Sequence, residues 1–283
     1  MTAKILDGKK LADEILPQLK KRVEKLRLAG VVPKIDVILV GDDEASQIYV
    51  RKKLRSSESI SMRAELHRFP AKAEKEKIIA TIRKLNEDDD VHAILVQLPL
   101  PGHLEEQQIL DKISPEKDVD GLTTRSLGRL VSGHAVFEPC TPKGIMKLFE
   151  SENIRLEGKN AVVIGRSNIV GKPAALMLMN RNATVTICHS KTRNLAEHAR
   201  GGDILIAAVG MPNFVKADFV KDGAIVIDVG TNRVNGKVVG DVDFGKVKAK
   251  AGYITPVPGG VGPLTVAMVL ENTIISAERR LQK

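Results

Sequence analysis

The chain has no tryptophan and only two tyrosines, and aromatic residues make up 3% of its 283 positions. A basic protein that binds nucleic acid is expected to interleave aromatics with a basic patch or to carry a recognisable module. Neither is present, although 44 Lys and Arg against 35 Asp and Glu leave a net charge of +9. The positive charges are spread along helix faces, which suits the attraction of small anionic ligands such as nucleotide phosphates and carboxylates. No nucleic-acid partner is therefore expected. Cysteine is scarce as well. Cys140 and Cys188 stand far apart, without Cys-x-x-Cys or Cys/His ligand spacing, and the six histidines are scattered. No metal site can be read from this pattern, and two isolated thiols fit a reducing cytoplasm. No apolar run approaches the roughly 20 residues of a membrane span, and Met1-Thr2-Ala3-Lys4-Ile5 lacks a secretory apolar segment. The expectation is a cytoplasmic protein without membrane contact.

A further absence is local. The strand pattern Ala183-Thr184-Val185-Thr186-Ile187 runs into Cys188-His189-Ser190-Lys191-Thr192-Arg193, which contains no carboxylate. NAD-specific sites place an Asp or Glu about here, on the ribose 2′-hydroxyl. A hydroxyl and two cations in its place favour a 2′-phosphate, hence NADP. The alternative is a solvated basic loop on a unit that binds NAD in another way.

That strand follows a dinucleotide-type entry. The apolar Ala161-Val162-Val163-Ile164 leads into Gly165-Arg166-Ser167-Asn168-Ile169-Val170-Gly171-Lys172-Pro173, and then into Ala174-Ala175-Leu176-Met177-Leu178-Met179. Strand, glycine turn and apolar helix form a βαβ entry in which the helix N-terminus offers free N–H groups to a pyrophosphate. Gly165 supplies the reversal and Ser167 the close backbone approach. Ser167 and Val170 stand where the strict G-x-G-x-x-G fingerprint has its second and third glycines.

With 43% hydrophobic and 28% charged residues, the chain is long enough for two globular domains. A helix is predicted from Gly8 to Leu28, strands at 35–40, 65–69 and 93–96, and helices around Tyr49 and over 72–85. Unbroken apolar strands separated by helices imply a parallel sheet covered on both faces. Further strands are predicted at 204–208 and 224–228, a hairpin at Asn235-Gly236, a rigid Pro/Gly loop over 255–263, and a last helix from Leu264 that packs back on the first domain. The fold class is α/β with two domains and a cleft between them. An N-terminal α/β domain covers 1–139 and is completed by 264–283, and a Rossmann-type NADP domain covers 140–263.

In the N-terminal part, Ser46, Tyr49 and Lys53 fall on one helix face. Gln97 falls just past the carboxyl end of a buried strand, where open α/β sheets bind ligands. Asp120 lies in Lys117-Asp118-Val119-Asp120-Gly121. A ring, an ammonium, an amide and a carboxylate suit a heterocyclic substrate that needs a positioned proton donor or acceptor. On the helix alone, Arg51, Lys52, Lys53 and Arg55 also read as a solvated charge run.

Taken with these, Gln97-Leu98-Pro99-Leu100-Pro101, Pro139-Cys140-Thr141-Pro142-x-Gly144, Gly240-Asp241-Val242-Asp243-Phe244 and the Thr255-to-Thr265 loop resemble the bifunctional methylenetetrahydrofolate dehydrogenase/methenyltetrahydrofolate cyclohydrolases of the FolD type, over nearly the whole length. The resemblance implies NADP-dependent oxidation of 5,10-methylenetetrahydrofolate, hydrolysis of the methenyl product to 10-formyltetrahydrofolate, and a homodimer serving purine biosynthesis. By motif, Lys53 handles the proton of hydrolysis, Gln97 tunes it, Tyr49 stacks on the folate and Asp120 anchors the pterin. Ser46, Leu98, Pro99, Pro258, Gly259 and Gly260 are assigned to substrate. Gly165, Arg166, Ser167, Val170, Gly171, Ser190, Gly210 and Thr231 are assigned to cofactor, with Arg166 and Ser190 on the 2′-phosphate.

The chain departs from the family pattern at Leu122-Thr123-Thr124-Arg125-Ser126, where relatives carry a Phe-His-Pro-like segment, and at Ser59, where Gly is common. The first departure keeps open a dehydrogenase without efficient hydrolysis. A shikimate- or amino-acid-dehydrogenase-like oxidoreductase is the other alternative, and Tyr49 on the Lys53 face argues against it.

Overall fold

In the computed structural model, which describes residues 2–281, the apolar runs become parallel strands and the amphipathic runs become the helices between them. In chain order the elements are β1 (Lys4–Ile5), α1 (Gly8–Leu28), β2 (Lys34–Val40), α2 (Glu44–Ser59), β3 (Arg63–Phe69), α3 (Lys75–Glu87), β4 (Ala93–Val96), α4 (Glu106–Leu110), α5 (Thr124–Val131), α6 (Cys140–Ser151), β5 (Asn160–Ile164), α7 (Gly171–Met179), β6 (Thr184–Cys188), α8 (Leu195–Arg200), β7 (Ile204–Ala207), β8 (Ile225–Asp228), β9 (Asn232–Val234), β10 (Lys237–Val239), α9 (Phe244–Lys248), β11 (Tyr253–Ile254) and α10 (Val261–Leu281). Among the described residues, no helix is long and apolar enough to cross a membrane.

The chain divides into two compact units. One holds the chain up to Asp13 together with Thr141–Thr265, and the other holds Glu14–Cys140 and the chain from Val266. The second unit is built on a three-stranded parallel sheet, ordered β3-β2-β4. Every residue of β4, and every residue of β2 after Lys34, is buried, as befits strands covered on both faces. Ile38, Val40, Ile94 and Val96 pack with Ile78 and Ile82 of α3. Leu19, Val23 and Leu26 of α1 pack with Leu270, Ile274 and Ala277 of α10. The last helix thus completes the unit that contains β2–β4.

The first unit has six parallel strands, ordered β1-β11-β8-β7-β5-β6. Its core joins Val162, Ile164, Leu205, Ala207, Val226 and Ile254. Because β6 and β7 flank β5 on opposite sides, the strand order reverses at β5. In such sheets ligands bind beyond the carboxyl ends of the strands at that point.

The N-terminal boundary differs from the expected one. Residues up to Asp13 belong to the six-stranded unit, because Lys4 and Ile5 pair with Tyr253 and Ile254 and Ala3 enters that core. Two residues of strand have no periodicity to betray them. The helix predicted over 72–85 begins at Lys75, because a turn in which the Ala73 N–H donates to the Pro70 carbonyl precedes it. The last helix begins at Val261 rather than Leu264. The hairpin forms where predicted, and Asn235 and Gly236, at φ 50° and 75°, adopt the paired positive φ of a type I′ turn. Both proline loops contain a cis bond, Leu98–Pro99 and Val257–Pro258.

Candidate active site

Helix α2 starts at Asp43, whose carboxylate accepts from the Ser46 N–H at 2.7 Å and satisfies one of the free donors of the first turn. From this fixed start the helix buries Ser46, Val50, Lys53 and Ser57 along one face. Burying a lysine is costly unless its ammonium is partnered or its proton is given up. Lys53 is 7% exposed, and its Nζ donates to Gln97 Oε1 at 2.9 Å. The Gln97 amide is oriented in turn, because its Nε2 donates to the Leu98 carbonyl at 2.7 Å. Burial pushes the Lys53 amine below its usual range, while nearby Asp120 and Cys140 pull it back up. The result is a desolvated amine held by a neutral acceptor, within reach of one carboxylate. The Ser46 hydroxyl on the same face is buried and has no hydrogen-bond partner among the described residues. Tyr49 is half-buried, with Lys52 Nζ 5.9 Å from its ring centre.

Asp120 is placed by two buried charges beside it in sequence. Lys117 Nζ donates to the carbonyls of Leu85, Asn86 and Asp88 at 2.6, 2.8 and 2.7 Å, closing the C-terminal end of α3. Burial lowers its ammonium to about 8. The Asp118 carboxylate accepts from the N–H groups of Leu122 and Thr123, and burial raises its carboxyl above the usual range. Asp120 is left half-buried between these anchors. Gly121 follows at φ 67°, and a Cβ there would lie 2.8 Å from the Phe137 carbonyl. In the departing segment Leu122 joins the core, while Thr123 caps α5 through its hydroxyl and the Ser126 N–H. The segment thereby becomes a helix start. Ser59, the other departure, is exposed, and its hydroxyl donates to the Ser56 carbonyl within its own turn.

Asn272 of α10 also belongs to this neighbourhood, and the sequence reading missed it. Its Nδ2 donates to the carbonyls of Val119 and Glu138 at 2.7 and 3.0 Å and reaches Cys140 Sγ at 3.5 Å. A lone amide in an apolar helix was the only available signal. The strand register also brings Asp36, Glu65 and His67 within 4.8 Å of one another, although the histidines look scattered in sequence. The Lys34 ammonium, 2.9 Å from Glu65 and 3.4 Å from Asp36, already neutralises that group.

In the six-stranded unit the parallel topology puts Gly165, Ser190, Gly210, Thr231 and the Pro258-Gly259-Gly260 loop at one sheet edge, each following the carboxyl end of a strand. Gly165 is obligatory, since its φ is 126° and a Cβ would lie 2.2 Å from the Ala208 carbonyl on the neighbouring loop. Close helix–turn packing comes from Gly171 rather than from Val170, because a Cβ on Gly171 would lie 2.3 Å from the Gly165 carbonyl. Ser167 contributes a helix cap. Its hydroxyl accepts from the N–H groups of Val170 and Gly171 at 3.2 and 3.3 Å, so these two donors are not free as the sequence suggested. Arg166, Ser190, Lys191 and Arg193 are all exposed. The His189–Thr192 turn is closed by the His189 N–H on Thr192 Oγ1 at 2.9 Å. The bare backbone around Gly165 and Gly171 and the cationic turn after β6 fit a dinucleotide with a 2′-phosphate.

The catalytic-domain model of the tetrahydrofolate dehydrogenase/cyclohydrolase family matches residues 6–120, and its NAD(P)-binding-domain model matches residues 139–281. The bifunctional protein FolD of Moorella thermoacetica is 54% identical over 280 residues, covering 99% of this chain and 100% of the relative. The bifunctional FolD enzyme of Campylobacter jejuni superposes with a TM-score of 0.96 at 48% identity, over 98% of this chain and 99% of that one. The Trypanosoma brucei enzyme, solved with NADP cofactor and an inhibitor, superposes with a TM-score of 0.95 at 38% identity over 100% of both chains. With both domain models matched in order and relatives aligned end to end, the chain belongs to the tetrahydrofolate dehydrogenase/cyclohydrolase family.

Proposed function

We propose that Lys53 and Gln97 form the proton-handling centre of a bifunctional enzyme of one-carbon folate metabolism. The enzyme oxidises 5,10-methylenetetrahydrofolate with NADP+ and hydrolyses the resulting methenyl compound to 10-formyltetrahydrofolate. The observation that supports this centre best is the buried Lys53 amine, 2.9 Å from the oriented oxygen of Gln97.

NADP+, when bound, accepts the hydride. The chain's part in that step is positioning. Gly165, Ser167, Val170 and Gly171 shape the turn for the pyrophosphate. Arg166 and Ser190 take the 2′-phosphate, and Gly210 and Thr231 border the remainder. On the folate side Tyr49 stacks on the ring system, and Asp120 accepts from the pterin amino and ring N–H groups. Ser46, with its unpartnered buried hydroxyl, contacts substrate together with Leu98 and Pro99, and the resemblance assigns Pro258, Gly259 and Gly260 to substrate as well.

Hydrolysis needs a base. Burial already favours the neutral form of Lys53, and a cationic methenyl substrate beside it favours that form further. The neutral amine takes a proton from water as the water oxygen bonds to the bridging carbon. The carbon–N5 bond then breaks as N5 receives that proton, the remaining hydroxyl proton leaves to solvent as the carbonyl forms, and the formyl group is left on N10. Gln97 Oε1 keeps Nζ in place without adding charge. The resemblance further supports a cytoplasmic homodimer whose product feeds purine biosynthesis.

The test is a spectrophotometric assay of the purified protein that follows NADPH and methenyl absorbance together, with a second run started from the methenyl compound. NADP+-dependent oxidation and enzyme-accelerated loss of methenyl are both expected. Oxidation without accelerated hydrolysis would favour a monofunctional dehydrogenase, for which the Leu122–Ser126 departure is the one motivating feature.

A further inference from the structure

The Gly240-Asp241-Val242-Asp243-Phe244 motif has no part in the chemistry so far. Its Asp241 is fully buried, and burial of a carboxylate is tolerated only with its oxygens satisfied. The donors come from the loop after β7. Asp241 Oδ2 accepts from the N–H groups of Val209 and Gly210 at 2.6 and 3.0 Å, and Oδ1 accepts from the Met211 N–H at 2.9 Å. A fourth bond runs from Asn232 Nδ2 to Oδ1 at 2.9 Å, beside Thr231. Three successive backbone N–H groups therefore converge on one carboxylate, and they belong to the loop that carries Gly210. Asp228 at the end of β8 fixes the motif in turn. Its Oδ1 accepts from the Asp241 N–H at 2.8 Å and its Oδ2 from the Val242 N–H at 2.9 Å. The close approach explains two glycines. A Cβ on Gly230 would lie 2.3 Å from Asp241 Oδ1, and one on Gly240 would lie 1.9 Å from Asp228 Oδ2.

We infer that Asp241 is a positioning residue for the nicotinamide-nucleotide site, shaping the Val209–Met211 loop and, through Asn232, the Thr231 turn so that both present their backbone to the cofactor. The inference rests on the reading of the six-stranded edge as the NADP site. Asp241 acts through these loops and does not itself touch the cofactor. Replacing it leaves three backbone donors of one loop without their acceptor, and the loop must rearrange to find others.

The test uses full-length Asp241→Asn, with its fold checked by circular dichroism. The amide keeps the size of the side chain but turns an NH2 toward N–H groups. A rise in KM for NADP+ of about tenfold or more is expected, with kcat at saturating NADP+ within about threefold of wild type. Hydrolysis of the methenyl compound without NADP+ is expected to stay within about twofold of wild type. An unchanged KM for NADP+, or an equal loss of cofactor-free hydrolysis, would overturn the assignment. Should Asp241→Asn not fold, Asn232→Ala removes one of the four donors. It is expected to raise KM for NADP+ less, again with hydrolysis intact, and an unchanged KM there would overturn the inference. Failure of the underlying reading is distinguishable, since the wild-type protein would then show no NADP+ turnover.

Discussion

At the scale of single residues, the two charges that matter most differ in how they are solvated. Lys53 is held in a dry place by a neutral amide, and Arg166 lies in water at a glycine turn. Replacing Gln97 by Glu would put a negative charge 2.9 Å from the Lys53 amine, where it stabilises the ammonium. Hydrolysis requires the neutral amine, so it is lost as pH falls through the lowered pKa of Lys53. In Gln97→Glu that limb is expected to move to higher pH and the neutral-pH rate to fall, as a pH–rate profile will show. A limb that stays in place would separate Gln97 from Lys53 titration. Arg166→Ala is expected to raise KM for NADP+ about tenfold or more while leaving KM for NAD+ nearly unchanged, because only the former has a 2′-phosphate. Equal effects on both would remove Arg166 from that role. Neither Lys53 nor Gln97 was legible from local pattern alone. They stand 44 residues apart in sequence, and α2 by itself read first as a solvated basic helix. The family resemblance paired them, and the strand-end position of Gln97 supplied the physical reason.

At the scale of elements, the strands buried on both faces were the most legible. β2, β4, β5, β7 and β8 are nearly continuous apolar runs, because a covered parallel sheet exposes neither face to water. The short pieces were not. β1 and β11 have two residues each, and α6 begins at Cys140, inside a proline-flanked motif that carries no helical periodicity. The Leu122–Ser126 departure is likewise a helix start, tied down by Asp118 and Thr123. The β5–α7 junction gives the prediction at this scale. In Gly171→Ala the new methyl meets backbone atoms at 2.3 and 2.6 Å, so α7 must move away from the Gly165 turn. Overpacking of this kind costs about 1–3 kcal/mol, to be read by chemical denaturation. It is expected to accompany weaker NADP+ binding, with cofactor-free hydrolysis affected far less. Unchanged stability and binding would show that a glycine is not needed at this position.

At the scale of the whole molecule, two buried groups, one in each unit, respond to acid in opposite senses. In the three-stranded unit His92 is buried beside Arg280 and Arg63, and burial first, then those charges, depress its imidazole from 6.5 to about 4. An unfolded chain takes up that proton near 6.5 while the folded one resists it to about 4, so stability falls as pH is lowered through this window. The loss amounts to roughly 3 kcal/mol. In the six-stranded unit, burial pushes the Asp228 carboxyl up to about 6, against three backbone N–H bonds that favour its charged form. The folded state then holds the proton between about 6 and 3.8, and this group stabilises the fold on acidification. Between pH 7 and 4, calorimetry is expected to show His92→Gln losing less stability than the unsubstituted protein. Equal sensitivity in that variant would place the acid response elsewhere. The division into an α/β domain and a Rossmann domain was legible in the sequence. The assignment of residues 2–13 was not, and the pairing of β1 with β11 reveals it.

The central claim is that one buried lysine moves the proton of hydrolysis, and Lys53→Met tests it most directly. Methionine fills the apolar part of the site and offers no base. Hydrolysis of 5,10-methenyltetrahydrofolate is expected to fall by about a hundredfold or more, the usual scale of a general base. NADP+-dependent oxidation, in which no side-chain proton transfer is intrinsic, is expected to remain measurable. Near-normal hydrolysis by Lys53→Met would contradict the assignment.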